Sequence, residues 1–178
     1  MEIPSALNAM LATGSAADVL RATLAHFGCQ AGTVHLFRDG VLKLETHHGI
    51  PPQVAAIVET VPLGKGIAGL AAERRAAITI CNLQTDTSGQ AKPGARATGM
   101  EGALAVPMLS GGELRGVLGI AKATAYDWSA AEQELLQKIA NALAERGGRS
   151  QRSEVRSQGS GVRNQGSGIG NRESETDL

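Results

Sequence analysis

Two runs of residues, Gly102-Ala-Leu-Ala-Val-Pro-Met108 and Leu114-Arg-Gly-Val-Leu-Gly-Ile-Ala121, constrain this chain more than any other feature. Gly111-Gly112 joins them, and glycine accepts the left-handed conformations of a two-residue hairpin turn. Both runs carry apolar residues on both faces, whereas a strand with one side in water would alternate. The hairpin is therefore expected at the centre of a sheet, with other elements covering each side.

The remaining segments supply those covers. Ala16 to Phe27 places apolar residues at 19, 20, 24 and 27, the spacing of a helix face, with Ser15 as N-cap and Gly28 as C-terminal stop. Ile3, Leu7, Met10 and Leu11 form a similar stripe before Gly14, a helical lead over residues 1–14 that reads as a longer first helix broken at that glycine. Pro51 opens a short helix through Val54, Ile57 and Val58. A glycine turn within Val61–Glu73 leads into another helix, Ala77–Ile80 reads as a strand, and residues 81–99 form a long polar loop. The closing helix starts at Ser129, with Glu132 completing a capping box and Leu135, Leu136, Ile139 and Leu143 as its buried stripe. The order predicts an α+β fold, an antiparallel sheet with helices on its faces.

Thr33-Val-His-Leu-Phe37 and Val41-Leu-Lys-Leu-Glu45 form a second hairpin around Asp39-Gly40. A two-residue loop sets Leu36 against Lys43, whereas a three-residue loop sets Leu36 against Leu42 and Val34 against Leu44. The second register gathers one apolar face, which burial should select. Thr33, His35, Lys43, Glu45 and His47 then share the other face.

Composition changes at Gly147-Gly148. A seven-residue unit, Val155-Arg-Ser-Gln-Gly-Ser-Gly161, recurs from Val162 and again in degraded form from Ile169. It offers one apolar position per heptad where a coiled coil needs two, and its glycines oppose helix. Residues 147–178 are expected to be a disordered tail, and residues 15–146 the folded domain. Lys+Arg and Asp+Glu number 17 each and aromatics make up 2% of the chain, so neither the field nor the stacking platform of a nucleic-acid binder is present. No apolar run reaches the length of a membrane span and no secretory signal opens the chain. Cys29 and Cys81 are too few for a metal cluster or a disulfide framework, which points to a reduced, cytoplasmic protein.

With these elements in hand, the chain resembles the GAF domain. The resemblance rests on Val61-Pro-Leu-Gly-Lys-Gly-Ile-Ala-Gly69, Ala77-Ile-Thr-Ile-Cys-Asn-Leu83, Ala103-Leu-Ala-Val-Pro-Met108, Gly116-Val-Leu-Gly-Ile120 and the ending Trp128-Ser-Ala-Ala-Glu-Gln-Glu-Leu-Leu136. It implies a six-stranded antiparallel sheet with terminal helices on one face and, on the other, a small-molecule pocket with short helices. It also implies signalling by dimers.

Several constellations bear on chemistry. Gly64-Lys-Gly-Ile-Ala-Gly69 fits a dinucleotide fingerprint, but Pro62 interrupts the strand that should precede it and the next strand ends in Cys81-Asn82 instead of an acid. It reads as a helix-entry turn whose Lys65 can help hold an anion. In the chosen register His35 and His47 lie roughly 13 Å apart, too far to share a metal ion, and His48 points the other way. Cys81, at the mouth of the long loop, has no basic neighbour in sequence to lower its pKa. The loop from Gln84 to Gly99 offers Asp86, Lys92 and Arg96 to a polar ligand. Lys65, Cys81, Asp86 and Arg96 are the candidate ligand-binding residues; no catalytic set and no metal site is expected, and the ligand is left unidentified.

The function expected is a non-catalytic sensory module, binding a small molecule and reporting through its terminal helices to a downstream signalling protein. One branch of the family reduces free methionine sulfoxide with cysteines, but Ala68 stands where that branch has one and residues 82–101 hold none. The Cys-His pair of bilin-binding relatives and the signature of cyclic-nucleotide binders are also missing. A third reading is a ligand-free dimerisation module. Its surface would be the Leu7/Leu11/Leu20 and Leu135/Leu136/Ile139/Leu143 stripes, although such stripes are more often the packing layer within one chain.

Overall fold

The computed structural model describes residues 2–158, with side chains through 147. Six strands form one antiparallel sheet in the order β3-β2-β1-β6-β5-β4: β1 Ala31–Arg38, β2 Val41–His48, β3 Thr60–Pro62, β4 Ile78–Ile80, β5 Gly102–Ser110 and β6 Glu113–Lys122. The Gly111-Gly112 hairpin is covered on both sides, as its composition requires. Helices α1 Ser5–Thr13, α2 Ala16–Phe27 and α6 Ala130–Gln158 pack on one face. Short helices α3 Pro52–Ile57, α4 Gly66–Arg74 and α5 Pro93–Arg96 cover the other.

The capping signals act where the sequence puts them. The Ser15 hydroxyl accepts from the Asp18 amide while the Asp18 carboxylate accepts from the Ser15 amide at 2.9 Å, and Gly28 closes α2 in the left-handed conformation. At the start of α6, the Glu132 carboxylate accepts from the Ser129 amide at 2.9 Å and the Ser129 hydroxyl accepts in return from the Glu132 amide.

The β1–β2 register departs from the expected one. Asp39 and Gly40 both have positive φ and form a two-residue turn, so Arg38 pairs with Val41, Phe37 with Leu42 and Leu36 with Lys43. A bulge then shifts the ladder between Val34 and His35. Burial would select a three-residue loop only if one face of this hairpin met water. Both faces are covered: Val34 belongs to the helix-side core, Leu42 to a cluster with Val117, Ala105 and Ala71 on the other side. Burial thus had no single face to select, and the turn chemistry decided.

Helix is present on both sides of the expected domain as well. The Leu7/Leu11/Leu20 and Leu135/Leu136/Ile139/Leu143 stripes are all buried within the chain, which removes them as a dimer surface and ties the 1–14 lead into the same core as the rest. Arg146 fastens α6 to the end of α1, donating to the Gly14 carbonyl at 2.6 Å. The segment expected to be disordered from residue 147 is helical to Gln158. Residues 149–158 contain no Gly or Pro, so α6 passes the glycine pair and continues where the breakers stop. Residues 159–178, and with them most of the repeat, lie outside the described residues.

Candidate functional site

The two faces of the central strands differ in side-chain size. Toward the helices, β5 and β6 present Leu104, Val106, Leu118 and Ile120; toward the other side they present Ala103, Ala105, Gly119 and Ala121. Small residues cannot reach the helices that arch over them, and a cavity of about 290 Å³ opens between sheet, α3, the start of α4 and the α5 segment. That is at the low end of the range for small-molecule sites, roughly 300–1,000 Å³.

Its walls are apolar, with Val54, Ile57 and Val58 from α3 and its end, Ile67 and Ala68 from α4, and Met100 and Leu83 on the far side. Ile57 is 63% exposed, forming an apolar edge beside Gly94. On the sheet side stands His35, 2% exposed, whose ring Nε2 lies 2.8 Å from the Val58 carbonyl. That carbonyl can only accept, so Nε2 carries the proton and Nδ1 is left as a lone-pair acceptor. Nδ1 is buried without a hydrogen-bond partner. Burial depresses the pKa of the ring, against a smaller opposing pull from the Val58 bond, so the imidazole is neutral.

The charged residues lining the cavity are Lys65 and Lys92. Lys65 occupies the N-cap position of α4, and no side chain caps that helix. Lys92 holds the corresponding place before α5 and runs past Gly66, so both lysines stand over the same helix start.

Of the four residues singled out from the sequence, the structure brings only Lys65 to this cavity. Cys81 and Asp86 line a separate recess with Thr79, Asn82 and Ser88. Cys81 is exposed, and its thiol is pushed up chiefly by a hydrogen bond to Asp127, with the negative charge of Asp127 adding to the effect. The Asp86 carboxylate is engaged by Ser88, whose hydroxyl donates to it at 2.8 Å, and its pKa is lowered mainly by that bond. Arg96 donates to the Asp86 carbonyl at 2.6 Å. The loop satisfies its own polar groups, and its expected ligand contacts are used in holding it together. The other thiol, Cys29, is half-buried and pushed up to about 11 by burial. Both cysteines are free. His35 was not among the candidate ligand-binding residues, because the expected register put it on the polar face of the hairpin; the size alternation in Ala103-Leu-Ala-Val and Leu118-Gly-Ile-Ala was the signal that could have located the cavity wall.

His35 is buried and His47 and His48 are exposed, and among the described residues no group of three His, Cys, Asp or Glu side chains could hold a metal ion. Among them, too, no helix is long and apolar enough to cross a membrane.

The model of the GAF domain family matches residues 15–145. The fold is similar to that of the GAF domain of a phosphoenolpyruvate-protein phosphotransferase from Coxiella burnetii, at 18% identity over 86% of this chain and 92% of that one, TM-score 0.69. It is similar also to a free methionine-R-sulfoxide reductase from Neisseria meningitidis, at 17% identity over 83% and 87% of the two chains, TM-score 0.69. A domain of a putative two-component sensor histidine kinase from Sinorhizobium meliloti resembles it at 17% identity over 78% and 92%, TM-score 0.64. The chain matches no curated protein.

Proposed function

Because the chain belongs to the GAF domain family, we propose that it is a non-catalytic sensory module that binds a small molecule in the cavity and passes the event to a partner protein through its terminal helices. The observation that carries this reading is the apolar cavity behind the alanine and glycine face of β5 and β6. The strands that wall it also contact the output element. Gln137 on α6 donates to the Pro107 carbonyl at 2.6 Å, and Asn141 accepts from the Leu109 amide at 3.1 Å. A ligand that shifts Ala103 and Ala105 acts on the same strand that α6 grips from the other side.

The fold neighbours include an enzyme, a free methionine sulfoxide reductase. Two features of this chain speak for the sensory reading over that one. A thiol pathway needs an activated thiolate and a second thiol to resolve the intermediate, and here neither cysteine lines the cavity while both thiols are pushed up. A reductase rate on methionine sulfoxide that Cys81→Ala removes would reverse the preference.

The test is native mass spectrometry of the freshly purified full-length chain beside Ala121→Leu, which adds bulk on the cavity face. A small adduct on the natural chain, absent from a variant whose melting temperature is within a few degrees, is the expected result. An adduct of equal occupancy on both would place the binding elsewhere and sink the proposal.

A further inference from the structure

Resting on the reading of the cavity as a small-ligand site, we infer that its occupant is a small uncharged molecule with an apolar body, no larger than a pair of fused rings. The floor and walls carry this. Ala103, Ala105, Gly119 and Ala121 form the floor, while the opposite face of the same strands bears Leu104, Val106, Leu118 and Ile120. Val54, Ile57, Ile67, Leu83 and Met100 line the rest. Protein interiors are otherwise close-packed, with few voids larger than a water molecule. Water held between such walls has few polar partners, so an apolar body that displaces it gains contacts on every side. Size sets the limit. An engineered cavity of about 150 Å³ walled by Leu, Ile and Phe binds benzene, and the present one, at about 290 Å³, has room for a second ring.

The polar groups around this space are engaged within the chain or closed off from it. His35 offers neither ring nitrogen: Nε2 lies 2.8 Å from the Val58 carbonyl and Nδ1 is buried. The Thr98 hydroxyl donates to the Ala95 carbonyl at 2.6 Å and accepts from the Met100 amide at 3.1 Å. The Thr60 hydroxyl accepts from the Lys43 ammonium at 3.3 Å. Along the floor the backbone is paired in the β1–β6 and β5–β6 ladders. Among the described residues no Asp or Glu lines the cavity, and its two lysines, Lys65 and Lys92, are exposed, so their charged heads stay in water. The Thr33 hydroxyl, lying over Gly119, can meet one polar atom of a ligand. A charged ligand, or one with many hydroxyls, would give up its hydration in this space without finding partners. An uncharged apolar body has no such hydration to lose.

The test is a ¹H–¹⁵N NMR titration of the full-length protein with toluene beside benzoate and benzylamine, and with 3-methylindole beside indole-3-carboxylate. At least one uncharged probe is expected to shift the amides of Val54, Ala68 and Ala121 and to bind about tenfold or more tightly than its charged counterparts. Its affinity should not fall as salt is added, since no ion pair is formed. Ala121→Leu, which fills the floor, should abolish these shifts. Ile57→Ser should weaken binding severalfold; that side chain is 63% exposed, so this variant folds, and thermal melts verify both. If Ala121→Leu folds and binds the uncharged probe as the natural chain does, the probe sits elsewhere and the proposal fails. If a charged counterpart binds as tightly as its uncharged partner at the same residues, the cavity remains a ligand site and this proposal fails alone. It also fails alone if no probe shifts those amides while the native-mass adduct is present. If the adduct is absent as well, the proposal and the small-ligand reading fall together.

Discussion

His35 shows how one side chain can change its meaning between sequence and structure. In the expected register it shares a face with Thr33, Lys43, Glu45 and His47, but the β1–β2 sheet is covered on that side and the ring is buried against the Val58 carbonyl. Its ordinary pKa of 6.5 is depressed by burial, so the native state takes up its proton less readily than the unfolded chain does. The sign follows directly: this contribution to stability is whole above about pH 6.5 and is lost as the pH falls through that value toward the folded-state pKa, at no more than about 1.4 kcal/mol per pH unit. Melting temperatures measured from pH 7.5 to 5 should fall more steeply for the natural protein than for His35→Asn, which has no such proton to gain. Parallel curves would mean that the ring titrates freely. Gly116 is a second position where a single residue carries a structural demand, since a Cβ there would collide with the carbonyl of His35 on the neighbouring strand.

At the scale of elements, what could be read from the sequence was whatever depended on neighbours a few residues away. Ser15, Asp18 and Gly28 bound α2 by local hydrogen bonds and a left-handed residue, and Ser129 with Glu132 opens α6 in the same way. Replacing Ser15 with Ala removes one side of a capping box and should cost about 1 kcal/mol, measurable as a lowered urea midpoint with unchanged slope; Ser15→Asp should recover most of it. The β1–β2 register was not legible, because it turned on whether a distant helix covers the second face. Asp39-Gly40 settles it through two positive φ values, and the bulge at Val34/His35 absorbs the mismatch. The long loop shows the same dependence on what lies around a residue. Its charges suggested ligand contacts, but Asp86, Ser88 and Arg96 find one another first. The cavity-facing lysine at position 65 was visible because a glycine turn entering a helix is itself a local pattern.

The whole molecule is a sheet between two unequal layers, and the heavier one includes the N-terminal helix that precedes the family match. Leu7 and Leu11 are buried in the same cluster as Leu135 and Ile139. Leu7→Ala should therefore destabilise the chain by about 2–4 kcal/mol by chemical denaturation, the cost of a core cavity; a loss below about 1 kcal/mol would mean that α1 is an appendage. The opposite layer is thin and roofed by short helices, and there the sheet is built from alanine and glycine. Along β5 and β6, each residue facing the cavity lies between two that face the helix core: Leu104, Ala105, Val106 on one strand, Leu118, Gly119, Ile120 on the other. In evolutionary terms this interleaving separates two kinds of inheritance. Substitutions at the small positions can reshape what the chamber admits while every residue that secures the fold stays in place, so descendants of such a protein can part company in what they respond to through one codon at a time and keep the same architecture.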